Sequence, residues 1–528
     1  MPDTAITRDN IVPMVCAFWR HERGVYKNFL SDDARRWGHT LLQTVNNAGR
    51  LPDNDELIQL SNNLDRSNCY AAVFAYSVLY RASKSAAIYD EWVKYVIEQQ
   101  NSFSPNTLYF LYGQIMREKF LNATVLDTTD NKKAELVLHN NIADLFQNLV
   151  PADLSRVPLA ERNPQRIIVL INQQLMPPHA PSVISLNYCE ELINSGYDVT
   201  LVNTAEVLSQ VGNVPLATVT YPNYVHQWGR GGKLNYNGVN IPYIQMPLDM
   251  PNPGGIAQIM NFIRAQKPIL LLCVGVGGIT MHLADKIVPA LSVPLGSGLP
   301  ILNTYFTTHG KTLTAADKDF IKLQNGSEKN MVLKPWHYGF APQREHISRS
   351  DVNIPDESFI MAVVGNRLDE ELDRDFLSML DRIATEKTNI MFIGNFNCDD
   401  KTKDYPNIKN HSIYLGHCAD LLSRLELCDI FVNPRRSGGG TSGAMALYQG
   451  KPVVTVAFGD IAECAGEQFW VRDYAEMEQQ ISRYINEPVF YAEMSQKAKQ
   501  RGIILTDNTN VLRDALNEAI MRCRELEL

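Results

Sequence analysis

No two of the nine cysteines form a C-x-x-C pair, and an odd number scattered along the chain excludes a disulfide framework or a zinc ribbon as its organising device. Reduced thiols of this kind lead us to expect a cytoplasmic protein. Also missing is any tract of lysine or arginine, and the net charge is −9. General affinity for nucleic acid or an anionic membrane is therefore not expected, which leaves room only for a local basic pocket. Apolar runs are short: Pro268 to Val276 is among the longest, well under the roughly 20 residues of a membrane-spanning helix, so any membrane contact would be peripheral. Met1 to Arg8 lack a basic segment followed by an apolar run, and no signal peptide is expected.

Several cofactor signatures are absent too. Gly275-Val276-Gly277-Gly278 is followed by Thr280 where a dinucleotide fingerprint needs its third glycine, which argues against a dehydrogenase. Asp317-Lys318-Asp319 and Asp373-Arg374-Asp375 are D-x-D strings on amphipathic helix patterns, where solvated charge is the expected reading. No other metal-ligand spacing occurs, so neither metal nor cofactor is expected.

What is present divides the 528 residues into three regions, more than one ordinary domain holds. Residues 1–150 read as helical, with apolar segments such as Tyr70 to Tyr80, Trp92 to Ile97 and Leu108 to Phe120, and with Pro105 marking a helix start. A proline-bearing linker at Pro151 to Pro164 leads into 165–345, where strands at Arg166 to Asn172, Val199 to Asn203, Tyr243 to Met246 and Ile269 to Val274 alternate with helices. Residues 213–240 read as irregular. A second alternating series fills 346–528, with strands at Phe359 to Val364, Thr388 to Ile393, Ser412 to Leu415, Asp429 to Asn433 and Pro452 to Ala457. The fold class is therefore α/β: two doubly wound, Rossmann-like domains after an all-α region, with ligands at the carboxyl ends of the strands and a cleft between the two sheets.

The most informative stretch lies in the second series. Cys428 to Val432 reads as a buried strand, Asn433 to Ser442 as a Gly-rich loop, Gly443 to Leu447 as the start of a small-residue helix, and Pro452 to Val456 as the next strand. Glycines let a backbone approach an anion closely, and the helix N-terminus presents free N–H groups. Thr441 and Ser442 add hydroxyl donors, and Arg435 and Arg436 add charge. The unit suits a diphosphate.

The order of the strand-end loops then matters. Gly365-Asn366-Arg367 follows the first strand of this series, Gly394-Asn395-Phe396 the second, and Gly416-His417 the third, ahead of the Gly-rich loop and Gly450-Lys451-Pro452-Val453-Val454. This resembles the nucleotide-sugar domain of GT-B glycosyltransferases, most strongly over about 359–460 and more loosely over 165–528. Within that family it is similar to bacterial cytosolic enzymes, of which the adhesin N-glucosyltransferases and O-GlcNAc transferase relatives are the nearest named group. The resemblance implies that Asn366, Arg367, Gly394, Gly416, His417, Arg436, Ser437, Gly438, Gly439, Gly440, Thr441 and Ser442 hold the donor, with Arg367 on the diphosphate and His417 against the base. It implies that Gly277 and Gly278 line the acceptor side, and that the donor is a nucleotide sugar, a UDP-sugar in the first instance. A protein or glycan would be the acceptor, the helical region would recognise it, and a homo-oligomer is compatible.

His179, in a proline-rich loop after a strand, is the first candidate general base, with His282 and His309 as rivals. One departure stands out: Met445 (or Gly443, with a different gap) occupies the position where related loops carry a carboxylate for the ribose hydroxyls. Asp460, Glu463 and Glu467 are the nearest acidic substitutes. The same departure motivates the alternative reading, a non-catalytic glycosyltransferase-like subunit that binds a partner enzyme or glycoprotein.

Overall fold

The computed structural model describes residues 69–206 and 225–527, apart from 178, 353, 356, 508 and 509. The expected helical region is thus described from Cys69 onward, and its first 68 residues lie outside the described residues. So do residues 213–224 of the stretch read as irregular.

Four labelled helices open the described chain: α1 (Cys69–Ser83), α2 (Ala86–Glu98), α3 (Pro105–Leu121) and α4 (Thr129–Leu149). Ser104 starts α3 by accepting the Thr107 N–H ahead of Pro105, and Thr128 caps α4 at the Asn131 N–H. Their apolar faces, with Trp92, Phe110 and Phe146 fully buried, do not form a separate core. They join one face of the first sheet through Ile168, Leu170, Leu271 and Cys273.

That sheet runs β3-β4-β2-β1-β5-β6-β7-β8. Its strands are β1 (Asn163–Ile171), β2 (Asp198–Asn203), β3 (Gly231–Tyr236), β4 (Val239–Gln245), β5 (Pro268–Val274), β6 (Ala290–Val293), β7 (Phe306–His309) and β8 (Met331–Leu333). All neighbours are parallel except β3 and β4, an antiparallel hairpin whose first strand falls in the stretch read as irregular and whose second runs into the strand expected at Tyr243 to Met246. The helices between them are α5 (Ala180–Asn194), α6 (Pro253–Gln266), α7 (Ile279–Ile287) and α8 (Ala315–Leu323). β5 is buried at every position, as a parallel strand covered on both faces must be.

The second sheet, entirely parallel, runs β11-β10-β9-β12-β13-β14. Its strands are β9 (Phe359–Gly365), β10 (Thr388–Gly394), β11 (Ser412–Tyr414), β12 (Ile430–Asn433), β13 (Val453–Val456) and β14 (Trp470–Val471). Its longer helices are α9 (Arg374–Ile383), α10 (Gly440–Tyr448), α11 (Tyr474–Asn486) and α12 (Pro488–Thr506). The strand order reverses between β9 and β12, so the loops that leave those two strands open a crevice at the sheet's carboxyl edge.

The span 346–528, expected as one domain, needs a correction. Its last helix, α13 (Val511–Glu525), crosses back to the first sheet, where Leu512, Leu516, Ile520 and Cys523 pack with β1, β5 and α5 residues. Fully burying each such Leu or Ile side chain is worth about 1.5–3 kcal/mol, which explains why the chain end is drawn there. The outgoing and returning crossings touch, through the Tyr338 N–H and the Leu505 carbonyl at 2.7 Å.

Candidate active site

The crevice between β9 and β12 is built by two arginines and one glutamate. Arg367 follows β9 and lies half-buried, its Nε and Nη2 on Glu371 Oε1 at 3.1 and 2.8 Å. Arg436 leaves β12 and is buried: Nη1 meets Glu371 Oε2 at 2.6 Å, Nε meets Asn433 Oδ1 at 2.8 Å, and Nη2 donates to the Val364 carbonyl at 2.7 Å. Two guanidinium groups thus share one carboxylate, and this cluster retains one unit of positive charge beside the Gly-rich loop. Arg436 was expected to hold the donor; its Nη1 and Nη2 tie β12 to Glu371 and to β9, and its Nε bonds Asn433 at the end of β12, so it braces the crevice wall. The acidic run Asp369 to Asp373 offered Arg367 a salt-bridge partner in the sequence, and the structure takes the i, i+4 member, Glu371, while leaving Arg367 at the strand end.

The Gly-rich loop opens α10. Gly439 is its N-cap, at φ +98, and a Cβ there would lie 2.8 Å from Ile461 Cδ1; a Cβ on Gly440 would lie 2.6 Å from the Tyr338 hydroxyl. No side chain caps α10, and its first turn holds no acid. Gly438, Gly440 and the half-buried Thr441 therefore surround N–H groups left for another partner. Ser442 turns its hydroxyl back to the Gly439 carbonyl at 2.8 Å, and Ser437 gives its hydroxyl to the Phe120 carbonyl at the end of α3.

Around this crevice, Gly394 lets β9 and β10 converge, since a Cβ on it would lie 2.0 Å from the Gly365 carbonyl oxygen. Gly394 in turn donates to the Gly416 carbonyl at 2.7 Å. Asn366 and His417 are exposed at the same edge. Met445 packs against the core of the second sheet. Of the three substitute acids, Asp460 lies against the loop: its N–H donates to the Ser437 carbonyl at 2.8 Å, and its Oδ1 accepts the Ser297 N–H from the first sheet's loops at 2.7 Å. Burial pushes its carboxyl up to about 6. Glu463 pairs with Lys311, and Glu467 is exposed.

On the first sheet, the switch point falls between β1 and β5. His179 is the N-cap residue of α5, its Nδ1 2.7 Å from Ser182 Oγ. Ser182 is buried and also accepts the Leu175 N–H at 2.7 Å; its hydroxyl has a second lone pair and one proton, so it can pair with Nδ1 in either ring tautomer. Burial also holds the ring at about 4, so it is neutral near pH 7 but a weak base. Gly278 precedes α7, whose N-terminus is filled from within: Glu206 Oε1 accepts both the Thr280 N–H and its hydroxyl at 2.8 Å. Gly277 faces α3, where a Cβ on it would lie 3.6 Å from the Tyr112 hydroxyl.

His282 also needs correcting. Its ring packs on His139 of α4, centroids 5.5 Å apart, on the side of α7 that must meet the helical layer. Burial lowers the pair to about 4 and about 3, and Nδ1 of His282 and both nitrogens of His139 find no partner among the described residues. His309 places Nδ1 on the Lys311 carbonyl. The two D-x-D strings are helix caps: Asp317 closes a capping box with Thr314, and Asp373 accepts the Phe376 N–H at 2.7 Å. The described residues hold no group of three or more side chains arranged for a metal ion, and no described helix is long and apolar enough to cross a membrane.

Two parallel-dominated sheets facing across a cleft, with a helical layer on the first, define the GT-B fold, and comparison with known proteins agrees. Residues 360–487 match the family described as glycosyl transferases group 1, which covers the β9-to-α11 part of the second sheet. A variant of the O-GlcNAc transferase of Thermobaculum terrenum aligns with 98% of this chain and 99% of its own, at 12% identity and a TM-score of 0.53. HepE of Anabaena in complex with UDP aligns with 68% of this chain and 99% of its own, at 13% identity and a TM-score of 0.45. A glycosyltransferase of Rickettsia africae aligns with 69% and 98%, at 10% identity and a TM-score of 0.47. No curated protein matches the sequence.

Proposed function

We propose that this chain moves a sugar from a nucleoside-diphosphate sugar to a protein or glycan acceptor, with UDP-sugars the first donors to test. The observation that carries this reading is the surplus guanidinium charge beside an uncapped α10 N-terminus at the second sheet's switch point. Arg367 and the N–H groups of the 438–441 turn would take the departing diphosphate, whose growing charge they stabilise more than the substrate's. Because protein groups supply this positive potential, metal is not required in the proposed reaction. His179, neutral near pH 7 and fixed by Ser182, would supply a hydrogen-bonding ring nitrogen from the first sheet. Asp460 is the acid next to the loop that is open to a ribose hydroxyl. Closure of the two sheets' loops at Ser297 and Asp460 would exclude water from the donor.

The packing of Met445 against the core favours one other reading, a non-catalytic subunit of the same fold. The test is thermal stability of the full chain against nucleoside diphosphates and their sugars, with EDTA and then with magnesium. A ligand confined to the folded state raises the melting temperature. The transferase reading expects a shift with one nucleotide class that persists in EDTA; no shift at millimolar ligand would favour the non-catalytic subunit.

A further inference from the structure

Helix α3 spans the cleft. At its start, Asn106 Nδ2 donates to the Pro251 carbonyl beside α6 at 2.8 Å. Near its middle, Tyr112 lies over Gly277. At its end, 17 residues and about 25 Å from its beginning, the Phe120 ring lies 5.1 Å from the Arg367 guanidinium. A Cβ on Gly438 would lie 3.4 Å from the tip of that ring and 3.3 Å from Arg367 Nη2. The Phe120 carbonyl accepts the Ser437 hydroxyl. One residue of the helical layer therefore touches three members of the proposed diphosphate seat.

The chemistry of that contact opposes an anion. The end of a helix carries partial negative charge on its free carbonyls. The ring face partly satisfies the Arg367 cation, and the Ser437 proton already has an acceptor. Lys119, the basic residue of α3's last turn, is spent on Glu135 at 2.7 Å. A diphosphate and the end of α3 would compete for the same groups.

We propose that Phe120 and the last turn of α3 form a gate over the diphosphate seat, which a donor must displace. The proposal rests on the donor reading above. Because α3 is anchored on the first sheet's side and ends on the second, movement of the two sheets relative to each other moves the gate. Acceptor binding on the helical layer and donor binding on the second sheet would then be linked through one rigid helix.

The test measures binding of UDP and of inorganic pyrophosphate to the full chain by calorimetry, for the wild type, Phe120→Ala, Phe120→Leu and Phe120→Tyr. Phe120 is 38% exposed, so its truncation should leave the melting temperature nearly unchanged. We expect Phe120→Ala to bind both probes about tenfold more tightly, from loss of the ring–cation contact and of the ring over Gly438, while the backbone carbonyl that accepts the Ser437 hydroxyl is kept. Phe120→Leu should show a smaller gain, and Phe120→Tyr, which keeps the ring, none. If the wild type binds UDP and Phe120→Ala binds no better, the gate is wrong and the donor reading stands. If no variant binds either probe, the donor reading fails and the gate falls with it.

Discussion

The two sheets contain the same local unit, a strand that ends in glycines and runs into a nine-residue helix, yet they treat its N-terminus in opposite ways. On the first sheet, Glu206 from the segment after β2 fills the N-terminus of α7. On the second, the first turn of α10 has no acid; Glu371 is divided between two arginines, and Asp460, which lies against the loop, accepts the Ser297 N–H instead of an α10 N–H. Glycines and a helix start therefore do not by themselves make an anion site; the inventory of nearby carboxylates decides whether the site is already filled.

The largest effect should come from removing the surplus charge. Arg367→Ala is expected to lower nucleotide affinity or transfer about a hundredfold or more while the melting temperature stays within a few degrees, since the side chain is half-buried and Glu371 keeps Arg436. Unchanged turnover would erase the contrast between the sheets. Next, Gly439→Val should abolish nucleotide binding, because the residue sits at φ +98 and a Cβ would collide with Ile461. Calorimetry on the folded variant checks this, and intact binding would show that the loop is not the seat. On the other sheet, Glu206→Ala should cost about 1–3 kcal/mol of stability by stranding the Thr280 donors, and millimolar phosphate should restore part of it. Partial rescue would mean that α7 becomes what α10 already is; denaturant titration with and without phosphate separates the outcomes.

How much of this was legible follows from particular residues. The strands β9, β10 and β12 are apolar runs that end in glycine or asparagine, β13 is an apolar run opened by Gly450-Lys451-Pro452, and the sequence read as strands at all four places. β6, β7, β8 and β14 are two to four residues long and were missed, whereas β12 and β13, of four residues each, lie in longer apolar runs bounded by glycine or proline that could be read. The adjacent Arg435 and Arg436 look alike in sequence; only the fold shows that the first is exposed and the second enclosed. Phe120 reaches Ser437 across 317 residues, and no local pattern could announce it. The capping roles of Asp317 and Asp373 were readable in principle, because each precedes or opens a helix pattern.

The smallest expected effect concerns the seam between the helical layer and the first sheet. His139 and His282 are held neutral by burial, far below the unfolded histidine value of about 6.5. Their contribution is thus fully present above pH 6.5 and is lost as pH falls toward 4, where the unfolded chain takes up protons that the folded one refuses. The melting temperature should drop by several degrees between pH 7 and pH 5, and the drop should shrink in a His139→Phe variant. An unchanged pH dependence there would assign the acid sensitivity to another group.

The returning helix α13 gives the molecule a mechanical property. The second sheet is threaded into the first half as an insertion, entered near Tyr338 and left near Leu505, and these two crossings lie side by side. Two adjacent covalent threads define a line, and bending about a line is the motion they leave free, whereas twisting or sliding would shear one thread against the other. The cleft should therefore open like a book on its spine, and no single cut in the chain would free the second sheet without uncovering the first.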